Sequence, residues 1–155
     1  MSIRFVALDD STAAAYRQGA PDANGQSPER RIASGGGLPC RHCLRPIADG
    51  EAYLTLAHRP FPAPQPYAEI GPIFLHADNC PRGGGSAEIP QLLASASYIV
   101  RGYGPDDRIV YGTGGVVKTP DIVARAAELL AEPAIAYVHV RSAANNCYQC
   151  RVERV

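Results

Sequence analysis

The residues best suited to chemistry are thiols and an imidazole. Cys40-Arg41-His42-Cys43 places two thiols with two residues between them, and His76-Ala77-Asp78-Asn79-Cys80 adds an imidazole and a third thiol. Cys40, Cys43, His76 and Cys80 are the donor types of a tetrahedral zinc site. Four such donors saturate zinc and leave no open position, so the expected cofactor is a structural zinc ion rather than a catalytic one. Either Cys147 or Cys150 is a candidate to replace His76 or Cys80 in the set. Side chains three apart on a strand face opposite ways, so both would ligate one ion only if a turn intervened. Two rival readings stand beside the metal. One is a redox pair, serving as a reversible thiol sensor; such pairs sit at helix N-termini, and Pro46 and Gly50 leave little room for a helix after Cys43. The other is ordinary buried cysteines, which behave as small apolar side chains.

A second candidate site rests on strand alternation. In 134–142, Tyr137, His139 and Arg141 share one face, and in 97–103 so do Ile99, Arg101 and Tyr103. In 107–113, Ile109, Tyr111 and Thr113 do the same. If these strands are neighbours, Arg101, Tyr103, Tyr111, Thr113, His139 and Arg141 form a ligand face for a small anion, with fixed donors beside aromatic surface. An enzyme built on it would use His76 or His139 with the arginines and tyrosines. The plainer alternative is the solvated side of an antiparallel sheet. Tyr111-Gly-Thr-Gly-Gly115 lacks the spacing and the lysine of a phosphate loop.

The elements that must position these residues form an α+β pattern. Strands are expected over 2–8, 51–57, 70–76, 97–103, 107–111, 134–142 and 147–155. A helix is expected over Ser11–Gln18, a short one near Ile89–Ala94, and the clearest one from Thr119, with Thr as cap and Pro120 in its first turn. Gly104-Pro-Asp-Asp reads as the turn of a hairpin between 97–103 and 107–111. Residues 19–39 and 58–72 read as long Gly/Pro-rich loops. The whole is one domain, 1–155, mainly antiparallel sheet with two or three helices, in which 40–80 is the zinc-knuckle region.

Composition narrows the function classes. The 155 residues suit one core without disulfides. Fifteen basic residues balance fifteen acidic ones, which disfavours a nucleic-acid partner. No run approaches the length of a membrane span and the N-terminus lacks a secretory pattern, so no membrane partner and a cytoplasmic location are expected. Five cysteines, an odd number, fit metal ligands or free thiols in a reducing compartment.

Locally, the pair Cys40/Cys43 followed by Ile47, Gly50-Glu51 and a strand resembles the knuckle and hairpin of treble-clef zinc fingers, including those of poly(ADP-ribose) polymerases. It departs from them in placing three residues rather than two between His76 and Cys80, and it lacks their basic DNA-facing surface. The resemblance implies metal ligation and not the DNA partner. Over nearly its whole length the chain resembles the small bacterial proteins grouped as Domain of Unknown Function 1203. The residues that carry this are Ile3-Arg4-Phe5, Pro39–Leu44, Pro66–His76, Arg101-Gly102-Tyr103, Tyr111–Gly114, Val138–Ser142 and Asn146-Cys147-Tyr148. That resemblance implies a single-domain bacterial protein and no particular activity.

Overall fold

The computed structural model describes residues 2–155. Its strands are β1 (Ile3–Val6), β2 (Glu29–Ile32), β3 (Leu38–Pro39), β4 (Pro46–Ile47), β5 (Ala52–His58), β6 (Gly71–His76), β7 (Ser97–Tyr103), β8 (Gly115–Lys118), β9 (Tyr137–Ser142) and β10 (Tyr148–Arg154). The helices are α1 (Asp10–Arg17) and α2 (Ile122–Leu130), the second entered through a short 3-10 turn over Thr119–Asp121. This is an α+β domain whose strand pairings are antiparallel. No helix among the described residues is long and apolar enough to cross a membrane.

The larger sheet has the order β1-β10-β9-β7-β8. One face packs against α2, because Ile122, Ala126, Leu129 and Leu130 recur at helical spacing and all are buried. They meet Ile3 and Phe5 of β1, Val138 and Val140 of β9, and Cys150 and Val152 of β10. The opposite face carries Tyr103, Tyr137 and His139, all buried. Phe61, from the proline-rich loop after β5, covers that face at 5.3 Å from the Tyr103 ring and 5.1 Å from the His139 ring. Both faces are therefore covered, and β9 is buried along five of its six positions.

The smaller sheet, β2-β5-β6, packs with the knuckle over a second core of Leu54, Leu56, Ile73, Leu75, Ile47, Cys40 and Cys43. Asp9 caps α1, its carboxylate accepting from the Thr12 amide at 3.0 Å. Hydrogen bonds from Ser11 and Thr12 outweigh the opposing effect of burial and lower its pKa to about 2.

Four expectations are corrected. The segment 19–39 is not all loop: Glu29–Ile32 pairs with β5 in the register Glu29↔Thr55 to Ile32↔Ala52. Its four side chains are exposed, so this edge strand carries no alternating burial for sequence reading to catch. No helix forms at 89–94; Pro90 opens a turn closed by Leu93 N–H on the Pro90 carbonyl, 3.0 Å. The segment 107–111 is not a strand. Only Ile109 bridges Tyr103, and the hairpin partner of β7 is β8, with Ser97 opposite Lys118. Thr119 does not cap its own helix, because its hydroxyl donates to the Ser95 carbonyl instead.

Candidate metal centre

The knuckle is the turn of a two-stranded ribbon. Leu38 and Pro39 of β3 pair with Ile47 and Pro46 of β4, and between them the Cys40 amide donates to the Arg45 carbonyl at 3.0 Å. Leu44 N–H closes the turn on the Cys40 carbonyl, also at 3.0 Å. Leu44 takes φ +58°, the left-handed region in which glycine is the usual occupant. A leucine is retained because its side chain is buried in the core beneath the larger sheet. The knuckle thus inserts one apolar anchor into the main core while turning its thiols the other way.

The second pair of donors comes from the end of β6. Tyr53 of β5 faces His76 in the ladder, and the chain then turns through 77–79 to bring Cys80 back. Donor atoms of Cys40, Cys43, His76 and Cys80 all lie within 4.8 Å of one another. Cys40 Sγ and Cys80 Sγ are 3.9 Å apart, and Cys43 Sγ is 3.5 Å from His76 Nδ1. A tetrahedron with zinc–sulfur bonds of ~2.3 Å and zinc–nitrogen bonds of ~2.0 Å has edges of ~3.8 Å (S···S) and ~3.5 Å (S···N). Both spacings match, and this donor set is able to hold a metal ion.

The surroundings orient each donor. His76 Nε2 lies 3.2 Å from Glu51 Oε1, which fixes the ring so that Nδ1 faces the thiols. The same Glu51 oxygen accepts from the Ala48 amide at 2.7 Å, and that bond, followed by His76, lowers the Glu51 pKa. The His76 amide donates to Cys40 Sγ at 3.3 Å. From α1, Arg17 Nη2 donates to Cys80 Sγ at 3.1 Å and Arg17 Nε to the His76 carbonyl at 3.0 Å. His42 places Nδ1 3.2 Å from Cys80 Sγ and Nε2 2.7 Å from Asp10 Oδ1. Three thiolates and one neutral imidazole around a dication leave one net negative charge, and Arg17 offsets it.

The thiols compete for ionisation. Cys43 and then Cys80, acting as hydrogen-bond donors, pull Cys40 far below the usual thiol range. Bonding to Cys40 pushes both Cys43 and Cys80 up. So close together they cannot all ionise unaided, and a coordinated divalent cation is the group that would deprotonate all three.

Cys147 and Cys150 lie outside the cluster. A bulge between Tyr148 and Cys150 shifts the β9–β10 register, so that Tyr148 faces Arg141 and Cys150 faces Val140. Cys150 is consequently buried under α2, which pushes its thiol up to about 12. Cys147 is half-buried near the β9–β10 turn. No helix begins at Cys43, where the ribbon continues into β4.

The residues expected on the second face are only partly brought together. Arg101 faces His139 and Tyr103 faces Tyr137 across the β7–β9 ladder. Tyr103 and His139 are wholly buried among Phe61, Tyr137 and Tyr148, so they belong to the core and not to a pocket. Burial, reinforced by Arg141, Arg151 and Arg101, holds His139 neutral with its pKa well below the ordinary value. Tyr111 is 76% exposed and pairs with the Tyr67 hydroxyl at 2.6 Å. The Thr113 hydroxyl accepts from the Gly102 amide at 3.0 Å and donates to the Val110 carbonyl at 2.6 Å. Arg141 does reach a cavity, together with His58, Glu69 and Tyr148.

Sequence reading missed Arg17, Arg41, His42, Glu51, His58 and Glu69. Two of them, Arg41 and His42, were visible as the inner pair of the Cys-x-x-Cys motif. The others lie in separate elements and carried no spacing signal.

A family described as "Protein of unknown function (DUF1203)" matches residues 37–154. The chain belongs to this DUF1203 family. No curated protein and no solved structure matches it. The DUF1203 match spans all four donors and the cavity around Arg141, while α1, which supplies Arg17 and Asp10, lies before it.

Proposed function

We propose that this DUF1203 protein is a small zinc-stapled binding domain of the bacterial cytoplasm, with zinc held by Cys40, Cys43, His76 and Cys80. The observation that carries the reading is the pair of spacings, 3.9 Å between Cys40 and Cys80 sulfurs and 3.5 Å from Cys43 sulfur to His76 Nδ1. Three thiolates with an imidazole select zinc over calcium or magnesium, which prefer oxygen donors. A closed four-donor set gives the ion a structural role: it ties the β3–β4 turn to the end of β6. The cytoplasmic assignment is supported by five unpaired cysteines, since ligating thiols must stay reduced. Nucleic-acid and membrane partners fit this reading poorly, because the net charge is zero and the cation nearest the thiols, Arg17, is spent on Cys80.

Protein purified without added metal is expected to carry about one zinc per chain and to lose it to a chelator together with the ordered packing of the smaller core. Less than about a tenth of a zinc per chain, with every thiol titrating at once, would refute the assignment.

A further inference from the structure

Between the β9–β10 turn and the start of β6 lies a cavity of about 180 Å³, lined by His58, Glu69, Arg141, Asn146, Cys147 and Tyr148 among others. It is separate from the metal centre: none of the four donors lines it. We propose that this cavity binds a small carboxylate, with Arg141, Tyr148 and His58 as the recognising donors.

Polar groups that face the cavity are short of acceptors. Arg141 is 3% exposed; its Nη1 reaches Glu69 and the Asn146 carbonyl and its Nη2 lies 3.3 Å from His139 Nδ1, while its buried Nε has no hydrogen-bond partner among the described residues. His58 is 9% exposed, and its Nδ1 is occupied by the Tyr16 hydroxyl at 3.1 Å. When Tyr16 donates that bond, the imidazole keeps its proton on Nε2, a second donor. The Tyr148 hydroxyl makes no protein hydrogen bond among the described residues, and burial raises its pKa, so it remains protonated. The bulge at Gln149 turns Tyr148 onto this face. Behind it, Arg41 is 2% exposed and, among the described residues, donates its side-chain hydrogen bonds to carbonyls, of Tyr148 at 2.8 Å and Pro39 at 2.6 Å. Arg41 has no carboxylate partner among the described residues and Arg141 shares Glu69 with Arg101, which leaves a surplus of positive charge beside the cavity.

The protein already places one carboxylate at the rim. Glu69, 40% exposed, accepts from Arg101 Nη2 at 3.3 Å, Arg141 Nη1 at 3.3 Å and Asn146 Nδ2 at 3.1 Å. These bonds are longer than the ~2.8 Å of a well-seated charge-assisted pair. Two arginines therefore share one loosely held carboxylate, and a second carboxylate would complete the charge balance. A planar, forked guanidinium presents parallel donors that match the two oxygens of a carboxylate. The volume limits the occupant to a few heavy atoms, the size of a short mono- or dicarboxylate.

The test uses zinc-loaded full-length protein, titrated calorimetrically with acetate, malonate and succinate, and with inorganic phosphate for comparison. Saturable binding of at least one carboxylate at about 1 mM or tighter is expected. Tyr148→Phe keeps the ring packing and should weaken that binding about tenfold by removing one donor to a charged acceptor. Glu69→Gln removes the competing charge and should tighten it several-fold. No saturable carboxylate binding up to about 20 mM, phosphate binding tighter than every carboxylate, or affinities unmoved by both variants would each overturn the proposal.

Discussion

At the residue scale, the metal centre depends on groups that do not ligate. Glu51 orients His76, and Arg17 donates to Cys80 Sγ and to the His76 carbonyl. Glu51→Gln and Arg17→Met leave all four donors in place. Each is expected to weaken zinc affinity by about 10- to 100-fold in competition with a chromophoric chelator, with zinc content near one per chain at saturation. Affinity unchanged in both would mean that the donors are held by the backbone alone. His58 provides a pH signature. Burial first, then the Arg41 charge, lowers its pKa to about 4, whereas an unfolded histidine titrates near 6.5. Between those values the unfolded chain binds a proton that the folded one does not, so stability falls as pH drops from ~6.5 to ~4, by up to about 3 kcal/mol. Denaturant midpoints at pH 7 and pH 5 should therefore differ more in wild type than in His58→Gln. The metal site contributes acid sensitivity to both proteins and cancels in that comparison. Equal pH slopes would contradict the neutral, buried state of His58.

At the scale of elements, the strap after Cys80 sits directly on the knuckle at Gly83. The Gly83 amide donates to the His42 carbonyl at 2.8 Å, and a Cβ on Gly83 would stand 2.1 Å from the Cys43 carbonyl oxygen. Gly83→Ala must displace either the knuckle or the strap after Cys80, and is expected to cost about 3 kcal/mol in a urea unfolding series. A cost near zero would show that the strap is not seated on the turn. Leu44 offers a test of sign. Losing its buried side chain costs about 3 kcal/mol, but at φ +58° alanine retains the backbone strain that glycine relieves. Leu44→Gly should then be less destabilising than Leu44→Ala, the reverse of the order at ordinary positions. These same elements mark what the sequence could reveal. The Cys-x-x-Cys spacing and the His76–Cys80 pair were legible because ligand spacing is local. The long periodic elements β5, β6, β7, β9, β10 and α2 were legible because one or both faces are buried in a fixed rhythm. β2 was not, since all four of its side chains are exposed and only its pairing to β5 makes it a strand. The His139 face read correctly as a shared face of β7 and β9. That Phe61 covers it depends on where a proline-rich loop folds back, which no spacing encodes.

At the scale of the molecule, two large cores and a smaller Phe61–Tyr103–Tyr137 cluster share one chain. The larger sheet and α2 bury Val138, Val140, Val152 and Leu130, while the smaller sheet packs on the knuckle through Leu54, Ile73, Leu75 and Ile47. Arg41 links them, bonding the Tyr148 carbonyl of β10 from within the knuckle. Removal of the proposed zinc is expected to free β6 from the β3–β4 turn, while the larger sheet keeps its α2 contacts. Amide hydrogen exchange after chelation should accelerate in β5 and β6 well before β9 and β10. Uniform acceleration would instead make zinc a requirement for the whole fold. The most direct test of the central claim is X-ray absorption at the zinc edge on protein purified without added metal. The account predicts about one zinc per chain with three sulfurs at ~2.3 Å and one nitrogen at ~2.0 Å. A first shell dominated by nitrogen and oxygen, or no zinc at all, would contradict it.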